Sequence, residues 1–264
     1  MRIALAQLTT SRSIQDNLDL VRSTLDEAAA HGADLAVFPE ATMRAFGHSL
    51  VDIAEPLDGP FATAVRTAAD EAGVGVVLGM FTPGEGGRVR NTLLVHGRGV
   101  EAHYDKIHLY DAFGFAESDT VSAGSSPVTF TLDGVTFGLA TCYDVRFPAL
   151  FQATADAGAQ VQLVVASWGA GPGKAEQWDL LVRARAVDST SYVVAVGQAD
   201  PGAAGVEARP GAPTGIGRSA VVDPFGHVLE QAGAGPAVLY ADLDLSLVEK
   251  ARQALPVLAN RVRL

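Results

Sequence analysis

The stretch "GLATCYDVRFP", residues 138–148, holds the only cysteine of the chain. Its apolar first half predicts a strand that ends at the thiol, and a helix is expected from about Phe147 to Ala157. Upstream, "PVTFTLDGVTFGLAT" (residues 127–141) is two strand-like runs around Asp133-Gly134. That dipeptide is the strongest short hairpin signal, because both of its residues tolerate the positive φ angles of a tight turn. Downstream, "VQLVVAS" (residues 161–167) is a further apolar strand. A hairpin that leads through a helix into another strand predicts a mixed sheet in an α/β fold.

The same alternation extends in both directions. Arg2–Leu8 reads as a strand, and Ser13 is placed to cap a helix, with Asp16 three residues later in a variant of the capping box. Leu18, Val21, Leu25 and Ala28 follow at steps of three and four, so they share one helix face. "DLAVFPE" (34–40) and "VGVVLGM" (74–80) are short apolar strands. Between them Phe61, Val65, Ala68 and Ala72 mark a helix closed by Gly73. "RNTLLVHGRGVEAHYDK" (90–106) reads as a hairpin, and residues 107–126 as irregular. Beyond the second half's first strand come a helix around Gln177–Val187, the strands "SYVVAVGQ", "RSAVVDPFGHVLEQ" and "AVLYADLD", and a helical stretch near Leu247–Ala254. "DPGAAGVEARPGAPTG" (200–215) is expected to be a long surface loop, because strands of one kind flank it. The strands are apolar on both faces, so two sheets are expected to pack together with helices outside.

Composition narrows the partners. A net charge of −11 argues against nucleic acid and anionic membranes, which need clustered Lys and Arg. No run of about 18 apolar residues suggests a spanning helix. The start of the chain reads as a strand rather than a signal peptide, and one cysteine forms no internal disulfide, so a cytoplasmic protein is expected.

Which residues carry chemistry is open at the level of single positions. Cys142 is either core filler or a reagent, since free cysteine is among the most buried residue types. A thiol near a helix N-terminus has its thiolate favoured by the dipole, but a nucleophile there still needs a base and a positive neighbour. Glu40, after the strand in "AVFPE", is a candidate base or a first-turn helix glutamate. Lys106, one of three lysines, ends a hairpin and is either solvated or a fixed ammonium. A cysteine–histidine pair is the rival, with His103 and His108 flanking Lys106. Zinc-ligand spacing, a Walker loop and a dinucleotide fingerprint are absent.

Taken together and in order, "FPE", "YDKIHL" and "TCYDVRFP" resemble the Glu-Lys-Cys signature of the nitrilase superfamily of carbon–nitrogen hydrolases. "RIALAQL", "RNTLLV", "AESDTVSAG", "QWDLLVRARAVDSTSYVVAVGQ" and "GRSAVVDPFGHVL" resemble further segments of that family, so the likeness spans nearly the whole chain. The branch it resembles most contains omega-amidase and deaminated glutathione amidase. The resemblance implies one domain over residues 1–264, a four-layer α-β-β-α sandwich with two mixed sheets, and a homodimer or larger assembly. It implies Glu40 as general base, Lys106 as oxyanion stabiliser, Cys142 as nucleophile and Glu117 as a second acidic residue of the site. Tyr143 would give its backbone N–H to the oxyanion. A small amide, with a carboxylate, is the expected substrate, and no metal or organic cofactor is expected.

Two departures bear on the substrate. The loop from Lys106 to Glu117 is short for an omega-amidase. "ASWGAGPGKAEQW" (166–178) replaces the usual proline and small residues, so Trp168 is expected to crowd or line the pocket. Arg44 is a candidate for a substrate carboxylate, or else a surface arginine. An N-carbamoyl-amine hydrolase, a nitrilase and a non-catalytic interaction protein on this fold are the alternatives.

Overall fold

Each of two six-stranded sheets has parallel strands at its centre and antiparallel strands at its flanks. The computed structural model describes residues 1–112, 114–207 and 211–262. The first sheet is formed by β1 (Arg2–Gln7), β2 (Leu35–Val37), β3 (Gly75–Pro83), β4 (Val89–Gly97), β5 (Val100–Asp105) and, from the far end of the chain, β14 (Ala237–Asp242). Its order is β14-β1-β2-β3-β4-β5. A small ladder of β6 (Asp111–Ala112) and β7 (Phe115–Ala116) lies between the sheets in sequence, inside the stretch expected to be irregular. The second sheet is formed by β8 (Thr129–Leu132), β9 (Val135–Thr141), β10 (Val161–Ala166), β11 (Tyr192–Gly197), β12 (Ala220–Val222) and β13 (Val228–Gln231), in the order β13-β12-β11-β10-β9-β8.

The helices α1 (Ile14–Ala30) and α2 (Pro60–Ala72) cover the first sheet, and α3 (Pro148–Asp156) and α4 (Lys174–Ser189) cover the second. Two short helices, α5 (Ser246–Ala254) and α6 (Val257–Asn260), follow β14. The layers are therefore α-β-β-α. The middle of the sandwich is filled by side chains that alternate inward from both sheets, among them Leu5, Val37, Leu93, Phe137, Leu163 and Val194. Their alternate neighbours face the helices, so both faces of most strands are buried and the strands read as continuous apolar runs.

Local signals act where the sequence places them. Ser13 Oγ accepts the Asp16 amide at 3.2 Å and starts α1. Asp133 and Gly134 both take positive φ, 48° and 79°, as a tight hairpin turn requires. Helix α4 begins at Lys174, three residues before its expected start, and runs to Ser189. In the expected loop 200–215, residues 201–205 form turns; residues 208–210 lie outside the described residues.

Candidate active site

The chain ends of β2, β5, β9 and β10 converge where the two sheets meet. In open α/β sheets the carboxyl ends of parallel strands are the usual place for a ligand crevice. Three residues beyond β2, Glu40 is 1 % exposed. The chain reaches this point by a tight approach to β3, with Ala41 at a φ of 59° and the Met43 amide donating to the Gly79 carbonyl at 3.1 Å. Gly79 is required there: a Cβ on it would lie 2.8 Å from the Ala41 nitrogen and 2.9 Å from the Glu40 Cα.

Lys106 directly follows β5. Its backbone N–H donates to the Asn91 carbonyl at 2.9 Å and its carbonyl accepts the Gly124 amide at 2.8 Å. Its ammonium donates to Glu40 Oε1 at 3.2 Å and to both oxygens of Glu117 at 2.9 Å. Glu117, which opens the helical turn Glu117–Asp119, also accepts the Tyr110 amide at 2.7 Å. Burial disfavours the charge on Lys106, but the charges of Glu40 and Glu117 outweigh it and hold the ammonium above its usual range.

Cys142 is the first residue past β9, with a φ of 50° at the head of the turn Cys142–Arg146. Such a conformation is strained for a non-glycine residue and persists only when its surroundings fix it. Asp144 does so: its buried carboxylate accepts the Thr141 amide at 2.8 Å, the Tyr104 hydroxyl at 2.6 Å, and the His108 amide and Nδ1 at 3.0 and 2.7 Å. The thiol donates to the Ser167 carbonyl at 3.9 Å and lies within the field of the Glu40 carboxylate. Desolvation, then the Glu40 charge, push the thiol pKa up, against the pull of Lys106. The thiol therefore rests neutral, with a carboxylate beside it that can take its proton.

The structure thus gathers Glu40, Lys106, Glu117 and Cys142. It does not pair the thiol with histidine: His108 is bonded to Asp144 and stacked on Phe147 with ring centroids 3.6 Å apart, and His103 is exposed on β5. Tyr143 is half-buried beside the thiol, its ring edge-on to Tyr110 and Phe147. Two further placements bear on the substrate. Trp168 is buried against Trp178, with its indole N–H donated to the Lys174 carbonyl at 2.9 Å where helix α4 begins. Arg44 donates to the carbonyls of Arg12 and Ser49 and so braces its own loop.

Sequence reading missed three supports of Glu40. The Asn91 amide donates to Oε1 at 2.7 Å, the Ser167 backbone N–H donates to Oε2 at 2.7 Å, and Gln198 Nε2 donates to the Glu40 carbonyl at 2.9 Å. Only Asn91 left a trace, as a polar residue near the start of an apolar strand. Among the described residues, no group of three or more His, Cys, Asp or Glu side chains is placed to hold a metal ion, and no helix is long and apolar enough to cross a membrane.

Two mixed sheets packed face to face between helix pairs, with a thiol, an ammonium and two carboxylates at the strand ends, define a nitrilase-like α/β hydrolase. The carbon–nitrogen hydrolase family model matches residues 2–253, and the chain belongs to that family. It is 55% identical over 267 residues to a hydrolase of Mycobacterium tuberculosis, covering 99% of this chain and 95% of that one. To the deaminated glutathione amidase of Escherichia coli O157:H7 it is 34% identical, covering 99% and 97% of the two chains. Among solved structures it resembles the amidase of Nesterenkonia sp. AN1 with a TM-score of 0.79 at 26% identity, covering 97% of this chain and 98% of that one. That amidase is a nitrilase-superfamily enzyme, and in its structure acrylamide has added to the active-site cysteine.

Proposed function

We propose that this protein hydrolyses the C–N bond of a small amide bearing a carboxylate, through a thioester on Cys142. The observation that carries the reading is the buried Glu40 carboxylate, hydrogen-bonded to the Lys106 ammonium and close enough to the thiol for its charge to act on it. An amide carbonyl is a poor electrophile and its amine a poor leaving group, so attack needs a base, an oxyanion site and an acid. Glu40 takes the thiol proton as Sγ bonds to the carbonyl carbon. Lys106 and the Tyr143 backbone N–H hold the developing oxyanion; losing one such donor costs about 3–4 kcal/mol of transition-state stabilisation. Protonated Glu40 then passes its proton to the departing nitrogen as the C–N bond breaks and ammonia leaves. Glu40 next accepts a proton from water, which adds to the thioester and releases the acid and the free thiol.

The carboxylate on the substrate is supported by two cations stacked on Tyr143 and the aromatic rings around it. The Arg146 guanidinium lies over the Tyr143 and Trp168 rings at 5.9 and 5.2 Å, and the Lys174 ammonium over the Tyr110 ring at 5.6 Å. The two glutamates and one lysine of the cluster carry a net negative charge, so an anionic substrate needs such compensation.

The test is ammonia and CO2 release from a panel of omega-amides of dicarboxylic acids, matched uncharged amides, N-carbamoyl amines and nitriles. Ammonia without CO2, fastest from the carboxylate-bearing amides and abolished in Cys142→Ala, is the expected result. Ammonia with CO2 would mark a carbamoyl substrate instead. Full activity in Cys142→Ala would refute the nucleophile.

A further inference from the structure

We propose that Asn91 is the positioning residue for Glu40, and that its buried amide is kept for the reaction at the expense of the fold. The inference rests on Glu40 being the base. Asn91 is near the start of β4 and 1 % exposed. Its strand pairing, opposite Phe81, and its carbonyl bond to the Lys106 amide involve only the backbone, so an apolar side chain would keep both.

The side chain itself is half satisfied. Nδ2 donates to Glu40 Oε1 at 2.7 Å, while Oδ1 is buried without a hydrogen-bond partner among the described residues. A buried amide with an unmade acceptor is destabilising compared with an apolar group of the same shape. As a structural residue Asn91 is therefore a poor choice, and the one contact that it gains is to the base.

That contact has a definite mechanical effect. Glu40 Oε2 is held by the Ser167 N–H and Oε1 by Asn91 and, at the longer distance of 3.2 Å, by Lys106. Two amide donors, one per oxygen, fix the carboxylate plane. Without Asn91, Oε1 is held by Lys106 alone, and the carboxyl is drawn toward the ammonium and away from the thiol.

The near-isosteric Asn91→Leu separates this role from a structural one. The expected result is a melting temperature at or above the wild type's. With it, kcat falls by about 10²-fold, on the scale of a misaligned acid–base partner. KM stays within about threefold, since binding is not what the bond serves. Asn91→Ala gives the same reading if the leucine variant does not fold. A near-wild-type kcat, while Glu40→Gln is inactive, overturns the role of Asn91 alone. An active Glu40→Gln overturns the base assignment and the proposal with it. A fall in kcat matched by a fall in melting temperature assigns Asn91 to the fold and also overturns the proposal.

Discussion

Glu117 places both carboxylate oxygens 2.9 Å from the Lys106 ammonium and still accepts the Tyr110 amide, so little of its hydrogen-bonding capacity is left for a substrate. Its effect on chemistry runs through Lys106. Burial disfavours that ammonium, and two carboxylates reverse the effect. Glu117→Gln removes one of them and leaves Glu40 as the sole counter-ion, which ties the base into the ion pair. The expected outcome is a kcat lower by about 10²-fold with KM changed little, measured beside Glu40→Gln. A near-wild-type kcat would leave a three-residue mechanism. Residues of this kind were legible because each sits in a distinctive string of neighbours: "FPE", "YDK", "AESD" and "TCYD". The Ser167 contribution was not, because it is made by a backbone N–H, and any residue at that position could make it.

At the scale of elements, β3 shows how a strand serves the site by lacking a side chain. Glycine in a strand interior weakens it and marks a close backbone approach. Gly79 is such a point, facing the Pro39–Ala41 backbone. A methyl group there would have to push the Glu40 segment off the sheet, because its nearest neighbours are main-chain atoms rather than a flexible side-chain end. Gly79→Ala is expected to cost about 1–3 kcal/mol of stability, the range for overpacking, and to lower kcat through displacement of Glu40. Denaturant titration and steady-state kinetics check the two effects. Unchanged kcat would mean that the Glu40 loop absorbs the shift. Strands and hairpins were readable in the sequence through turn dipeptides such as Asp133-Gly134 and through apolar runs. The start of α4 was not: its cap is Gly173 in a left-handed conformation, which supplies no side-chain bond and no capping signature. The β6–β7 ladder is too short to show a period of two.

Across the whole molecule, the site exists only while the two sheets keep their relative position. Glu40, Asn91 and Lys106 come from the first sheet, and Cys142 and Ser167 from the second. The apolar runs foretold that two sheets would face each other, but no pattern in the sequence could set their mutual offset. Much of the interface is apolar and slides without directional cost. Tyr104 supplies direction. Buried among apolar side chains of both sheets, it reaches from β5 to donate its hydroxyl to Asp144 at 2.6 Å, beneath the turn that carries the thiol. Desolvation, then the Asp144 charge, hold this phenol far above its ordinary pKa, so it remains a donor throughout the working pH range. Tyr104→Phe keeps the ring and removes that bond together with the one that the hydroxyl accepts from the Ile107 amide at 3.3 Å. A hydrogen bond to a charged group contributes about 1.5–3 kcal/mol, and for a chain of this size that corresponds to a loss of several degrees in melting temperature. Asp144 keeps its bonds from Thr141 and His108, so the thiol turn should survive and kcat should fall by less than about tenfold, less than the loss from removing an acid–base partner. Calorimetry and kinetics on one preparation distinguish this from a direct role: a large loss of kcat at an unchanged melting temperature would place Tyr104 in the chemistry instead of between the sheets.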